Sequence, residues 1–132
     1  MNIQLTNDEK MKIIYECLCT GLPYFRDYGL ELNYDQNQYD NARDELKTKS
    51  TDIVCFEDIL LEIIKTTSNG ITFKDIEGSE PDTILNMALI NDDDKWNKIP
   101  LNRINQFITE NYDAEDADVL MQYLFFGELI YG

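Results

Sequence analysis

Apolar positions along this chain change their spacing several times, and each change marks an element. Met11, Ile14, Leu18 and Leu22 recur at intervals of three and four with Cys17 alongside, which predicts an amphipathic first helix. Thr6-Asn7-Asp8-Glu9 ahead of it reads as a capping box, and Gly21 with Pro23 supplies the stop. After Tyr24, Phe25, Tyr28 and Gly29 the period shortens to two. Leu30-Glu31-Leu32-Asn33-Tyr34 then predicts a strand with Leu30, Leu32 and Tyr34 on one face. Asp35, with Gln38 three residues on, offers a second cap. Behind it, Tyr39, Ala42 and Leu46 carry a short, mostly polar helix that ends in Lys47-Thr48-Lys49-Ser50.

The clearest amphipathic segment runs from Val54 to Thr66, where Phe56, Ile59, Leu60, Ile63 and Ile64 make one stripe and Glu57, Asp58 and Glu62 lie off it. Asn69-Gly70 ends it, Ile71 to Ile76 follows as a strand, and Gly78 closes that strand. The stretch from Asp82 to Ala88 suits either a helix opened by Pro81 or a second hairpin strand across Gly78. Asn91 reads as an N-cap before an acidic first turn, Asp92-Asp93-Asp94, of a short helix through Trp96 to Ile99. Beyond Pro100, Leu101, Ile104, Phe107 and Ile108 make a further amphipathic helix, and Asn111 and Tyr112 turn the chain into its last element.

That element, Asp113 to Gly132, is expected to be a helix that the others wrap. Asp113, Glu115, Asp116 and Asp118 crowd its start, where unpaired N–H groups and the helix dipole favour negative charge. Val119, Leu120, Met121, Tyr123, Leu124, Phe125, Phe126, Leu129, Ile130 and Tyr131 then leave only Gln122 and Glu128 clearly polar. A helix apolar on nearly every side sits inside a fold. Interrupted by Gln122, Gly127 and Glu128, it is too short for a membrane span of about 20 apolar residues. The order of elements predicts an α+β fold: a small, largely antiparallel sheet packed with amphipathic helices around a buried C-terminal helix, with the carboxylates left outside. Residues 1–132 read as one globular domain, without internal repeat or linker.

Composition narrows the functions. Lys and Arg total 11 against 26 Asp and Glu, the net charge is −15, and no basic residue follows Arg103. Such a surface disfavours nucleic acid and anionic membranes, which recruit Lys and Arg, and allows a protein partner with a basic surface. Strong charge also serves plain solubility. Cys17, Cys19 and Cys55 are odd in number and two of them fall on apolar helix faces, so reduced thiols, mostly in the core of a cytoplasmic protein, are expected. MNIQLTNDEK lacks the basic start and apolar run of a signal peptide.

Chemistry is hard to assemble from these residues. Without His there is no Ser-His or Cys-His pair, and Cys17 and Cys19 are separated by Leu18 alone, unlike a redox pair. Three Cys cannot close a zinc site, and Gly70 and Gly78 stand singly rather than in a phosphate loop. Asp92 to Asp94 and Asp113 to Asp118 supply oxygen ligands for Ca²⁺ or Mg²⁺. Ala117, however, stands where a third ligand belongs, and the sharp-turn Gly of the calcium loop is missing. No catalytic, metal or cofactor residue is therefore expected. The candidate site is an acidic partner-binding surface of Asp92, Asp93, Asp94, Asp113, Glu115, Asp116 and Asp118. Tyr24, Phe25, Tyr28, Tyr34 and Tyr39 suit core and strand-face packing better than a binding patch.

Three stretches, CFEDILLEIIK (55–65), ITFKDIEG (71–78) and the closing DAEDADVLMQYLFFGELIYG, resemble short acidic proteins encoded in gut Bacteroidota, often on mobile elements or phages. Ala117-Asp118-Val119, Phe126-Gly127-Glu128 and Ile130-Tyr131-Gly132 carry most of that resemblance, which implies no catalytic residue. The leading expectation is a non-enzymatic acidic protein-interaction module. An alternative is an acidic decoy made by a phage or mobile element, mimicking nucleic-acid charge to occupy a basic groove in a host defence or DNA-handling protein. A second alternative is a hydrolase using paired carboxylates, one of raised pKa in a cleft.

Overall fold

The protein is described by a computed structural model at residues 4–76, 78 and 81–131. In chain order the described elements are α1 (Asn7–Asp27), β1 (Leu30–Asn33), α2 (Gln36–Lys49), α3 (Phe56–Thr66), β2 (Ile71–Asp75), β3 (Thr83–Leu85), α4 (Met87–Ile90), α5 (Asp93–Asn97), α6 (Leu101–Ile108) and α7 (Ala114–Phe126). This is an α+β fold with a small antiparallel sheet, as the spacing predicts.

Side chains set most of the helix starts. Thr6 accepts from the Glu9 N–H at 3.1 Å while the Glu9 carboxylate accepts from the Thr6 N–H at 2.8 Å. Asp35 accepts from the Gln38 N–H at 3.0 Å, and Asp113 and Asp116 bond each other's N–H at 2.9 and 3.0 Å. The expected stop of α1 at Gly21 and Pro23 does not occur, because the helix continues to Asp27 with Pro23 inside it. Gly21 serves a close approach instead: a Cβ there would lie 3.3 Å from the Ala117 Cβ of α7. Pro23 forfeits the bond to the Cys19 carbonyl, and an interior proline costs about 3 kcal/mol. Burial of Phe25, which sits edge-on to Phe73 at 5.3 Å and 5.8 Å from Phe125, offsets most of that with about 1.5–3 kcal/mol and about 0.5–1.5 kcal/mol more per aromatic pair.

The stretch 82–88 divides between its two readings. Thr83–Leu85 is a strand paired with β2, and a helical turn follows because the Asn86 side chain accepts from the Leu89 N–H at 3.0 Å. Gly70, at φ +55, lets β3 lie close, since a Cβ there would overlap the Leu85 carbonyl oxygen. Two caps move by a residue or two. Asp92, not Asn91, caps α5 by accepting from the Asp94 N–H, while Asn91 closes α4. α3 starts at Phe56 rather than Val54, since Asp58 accepts from the Cys55 N–H at 2.9 Å.

The sheet order is β1-β2-β3, both pairs antiparallel. Leu30, Ile71, Phe73 and Leu85 are buried on its inner face, and Glu31, Lys74 and Ile84 are exposed on the outer one. α1 packs on β1 and α3 on β2, while α7 packs on α1, α5 and α6 and reaches the sheet's inner side where Phe125 meets Phe73. Ala117, Leu120 and Leu124 have no exposed surface, and Phe125 reaches both Phe25 and Phe73. The helix is thus interior, but it stops earlier than expected. Gly127 takes φ +77, and the tail folds back onto Gln122, whose Oε1 accepts from the Ile130 and Tyr131 N–H groups at 2.9 Å each. One of the two thiols expected on apolar helix faces differs as well. Cys17 is buried, while Cys55 precedes α3 rather than lying on its apolar face and is exposed; Cys19 is exposed too. None of the described helices is long and apolar enough to cross a membrane.

Candidate functional site

The seven acids expected to form a surface are drawn into several local tasks. Asp92 caps α5, and Asp93 pairs with the buried Lys10 of α1, whose ammonium lies 5.9 Å from the centre of the Trp96 ring. Asp113 caps α7, and its carboxyl is held below the usual range chiefly by the Asp116 N–H it accepts from. Asp116 is buried and bonds Arg103 at 2.6 Å, with Glu115 at 3.7 Å from the same guanidinium. That bond to Asp116 is the main reason the Arg103 pKa is raised further.

Asp118 faces elsewhere. Also buried, it accepts from the Tyr28 hydroxyl at 2.7 Å and from Gln122 Nε2 at 3.0 Å. Burial, and then the Asp118 carboxylate, pushes the Tyr28 hydroxyl up. Two of the seven therefore lie inside. Asp116 and Asp118 fall on the sides of α7 that face its neighbours, so these two carboxylates need internal partners. Asp92 is half-buried, while Asp93, Asp94, Asp113 and Glu115 remain exposed.

An apolar groove that the acid pattern does not reveal opens beside the sheet. Its cavity of about 390 Å³ is lined by Leu22, Pro23 and Arg26 of α1, by the consecutive Leu30, Glu31 and Leu32 of β1, and by Phe56 and Phe73. The failure of α1 to stop at Pro23 builds one wall. Phe56, 39% exposed, builds another, having left the expected buried stripe to lie 6.2 Å from Tyr34 and 6.0 Å from Tyr39. Tyr34, which follows β1, and Tyr39 of α2 stack on each other at 5.0 Å, half-buried, so both rings pack as expected but not on a strand face. Phe25 is core, and Tyr24 is 37% exposed. No single stretch signals the groove as a whole; the only part legible in sequence is its strand wall, Leu30-Glu31-Leu32-Asn33, which carries neither Lys nor Pro.

Catalytic chemistry finds little support in these environments. Desolvation raises the Cys17 and Cys19 thiols, and a bond to Asp58 raises the Tyr15 hydroxyl, so none of the three gains a more accessible anion. Two carboxyls beside a common cavity are shifted in opposite directions. Glu9 is lowered by its bonds to Thr6, and Glu16 is raised by desolvation. Their shared cavity is about 90 Å³, against the several hundred Å³ typical of a small-molecule site. Among the described residues no three Cys, Asp or Glu side chains are placed to hold a metal ion. Compared with known protein families, with curated proteins and with solved structures, the chain matches none.

Proposed function

We propose that this chain is a non-enzymatic protein-interaction module that binds a partner carrying both basic and apolar groups. The observation that carries the reading is the apolar groove beside β1 in a protein of net charge −15. Charge draws a basic partner in and discourages anionic ones, while the groove supplies the desolvated contact on which stable interfaces depend. Burial of Asp116 and Asp118, and pairing of Asp93 and Glu115 with Lys10 and Arg103, favour this module over a decoy that copies the regular charge of nucleic acid.

The test is capture by the immobilised chain from bacterial lysate, followed by elution with rising salt. A partner seated in the groove stays bound when ionic strength reaches about 1 M, where the screening length falls to about 3 Å. It is lost when Phe56 is replaced by Asp. Elution of every captured protein at modest salt, with no effect of Phe56→Asp, supports the decoy instead. Capture of nothing contradicts both.

A further inference from the structure

We propose that the groove takes an extended peptide segment of the partner, added as a fourth strand along β1 and carrying an apolar-basic-apolar pattern. This deepens the interaction-module reading and rests on it. The direction of the backbone groups makes the argument. In the β1–β2 register, Leu30 faces Asp75 and Leu32 faces Phe73, and just beyond it the Ile76 N–H donates to the Gly29 carbonyl at 3.2 Å. Antiparallel ladders bond alternate residues. Glu31 and Asn33, in phase with Gly29, therefore turn their N–H and C=O toward β2, and Leu30 and Leu32 turn theirs away. Among the described residues β1 is an edge strand, so those outward groups meet no further strand. Three successive residues of β1 line the groove although their side chains alternate in direction, which means that the groove runs along the strand's backbone edge.

An incoming strand pairs its backbone with these groups and its side chains with the two faces of the sheet. Residues opposite Leu30 and Leu32 enter the apolar groove between Leu22, Phe56 and Phe73. The residue between them lies beside Glu31, which is exposed, so a Lys or Arg fits there. A second copy of this chain is a poor occupant, because edge-to-edge pairing would bring Glu31 against Glu31 between two molecules of charge −15. The other edge, β3, spans only Thr83–Leu85 and follows Pro81, which blunts it.

The probe is a short synthetic peptide alternating lysine with valine or isoleucine, titrated into the full chain. One control carries N-methyl groups on alternate amides, and a second has glutamate in place of lysine. Binding is read by fluorescence anisotropy and by amide hydrogen exchange. The expected result is binding that N-methylation weakens about tenfold or more, the effect of losing one or two good hydrogen bonds. On binding, the Leu32 amide slows in exchange, while the Glu31 and Asn33 amides, already paired with β2, change little. The glutamate peptide does not bind. Equal binding of the N-methylated peptide, an unchanged Leu32 amide, or no binding of the lysine peptide overturns the proposal. Should a partner captured from lysate remain bound at high salt while leaving the Leu32 amide unprotected, the module reading stands and the added strand falls.

Discussion

Gln122 offers the sharpest test of how α7 is held, because its side chain joins the helix, a buried acid and the returning tail. It has no exposed surface. Its Nε2 donates to Asp118 Oδ1 at 3.0 Å and to the Tyr131 carbonyl at 3.1 Å, and its Oε1 accepts from the Ile130 and Tyr131 N–H groups. Gln122→Met keeps the length and fills the space but removes every one of these bonds. Asp118 then loses one of its two named donors inside the protein, worth about 1.5–3 kcal/mol for a charged acceptor. Ile130 is 37% exposed, so the tail groups regain water and add only about 0.5–1 kcal/mol. The expected total is about 2–4 kcal/mol, a large part of a typical net stability of about 5–15 kcal/mol. Urea unfolding reads it as a lower midpoint with an unchanged slope. Chymotrypsin under native conditions should also begin to cut near Leu129 and Tyr131. Combined with Tyr28→Phe, which removes the other donor to Asp118, the losses should be non-additive, since both act on one carboxylate. A loss under about 0.5 kcal/mol with the tail still protected would refute the reasoning, since it is smaller than one ordinary hydrogen bond.

Further outcomes follow from the same packing. Glu16 has a buried Oε2 without a hydrogen-bond partner and a carboxyl raised by desolvation. Its folded pKa lies above the unfolded one, so it lowers stability once pH exceeds the unfolded value. Glu16→Gln should therefore raise the melting temperature at pH 7, and the gain should vanish below about pH 4, where both forms are neutral. Gly21→Leu should destabilise by about 2 kcal/mol or more in urea unfolding, because α1 and α7 touch at the Ala117 Cβ and overpacking costs about 1–3 kcal/mol. Arg103→Met leaves the buried Asp116 without its guanidinium and should cost about 1–2 kcal/mol by the same assay, discounted because the arginine is partly exposed. Truncation before Val119 should abolish the cooperative transition seen by circular dichroism, since it removes Leu120, Met121 and Leu124 from the core.

Local signals were legible in the sequence wherever the chemistry itself was local. Thr6, Asp35 and Asp113 each accept from a backbone N–H within the next three residues, so their caps could be read from spacing alone. The alternation in Leu30 to Tyr34 and the stripe from Ile59 to Ile64 likewise needed only a period. Contacts distant in sequence were not legible. Pro23 looks like a terminator until Phe25 meets Phe73 and Phe125, and Gly127 looks like a mere interruption until the tail finds Gln122. The candidate site suffers from the same limit. Charge marked seven acids as one surface, yet Asp116 and Asp118 answer to Arg103 and Tyr28, residues whose placement depends on helix packing. The groove was hidden for the same reason, since its walls come from α1, β1, α3 and β2 and no single stretch carries its pattern.

Amide hydrogen exchange at Leu120 and Leu124, compared with the global unfolding free energy from urea, tests most directly whether α7 is the rod on which the other elements are built. Exchange of both amides only through global unfolding, with equal free energies by the two methods, is the expected result. Exchange several kcal/mol easier than global unfolding would mean that α7 opens while the rest stays folded, and would contradict the account.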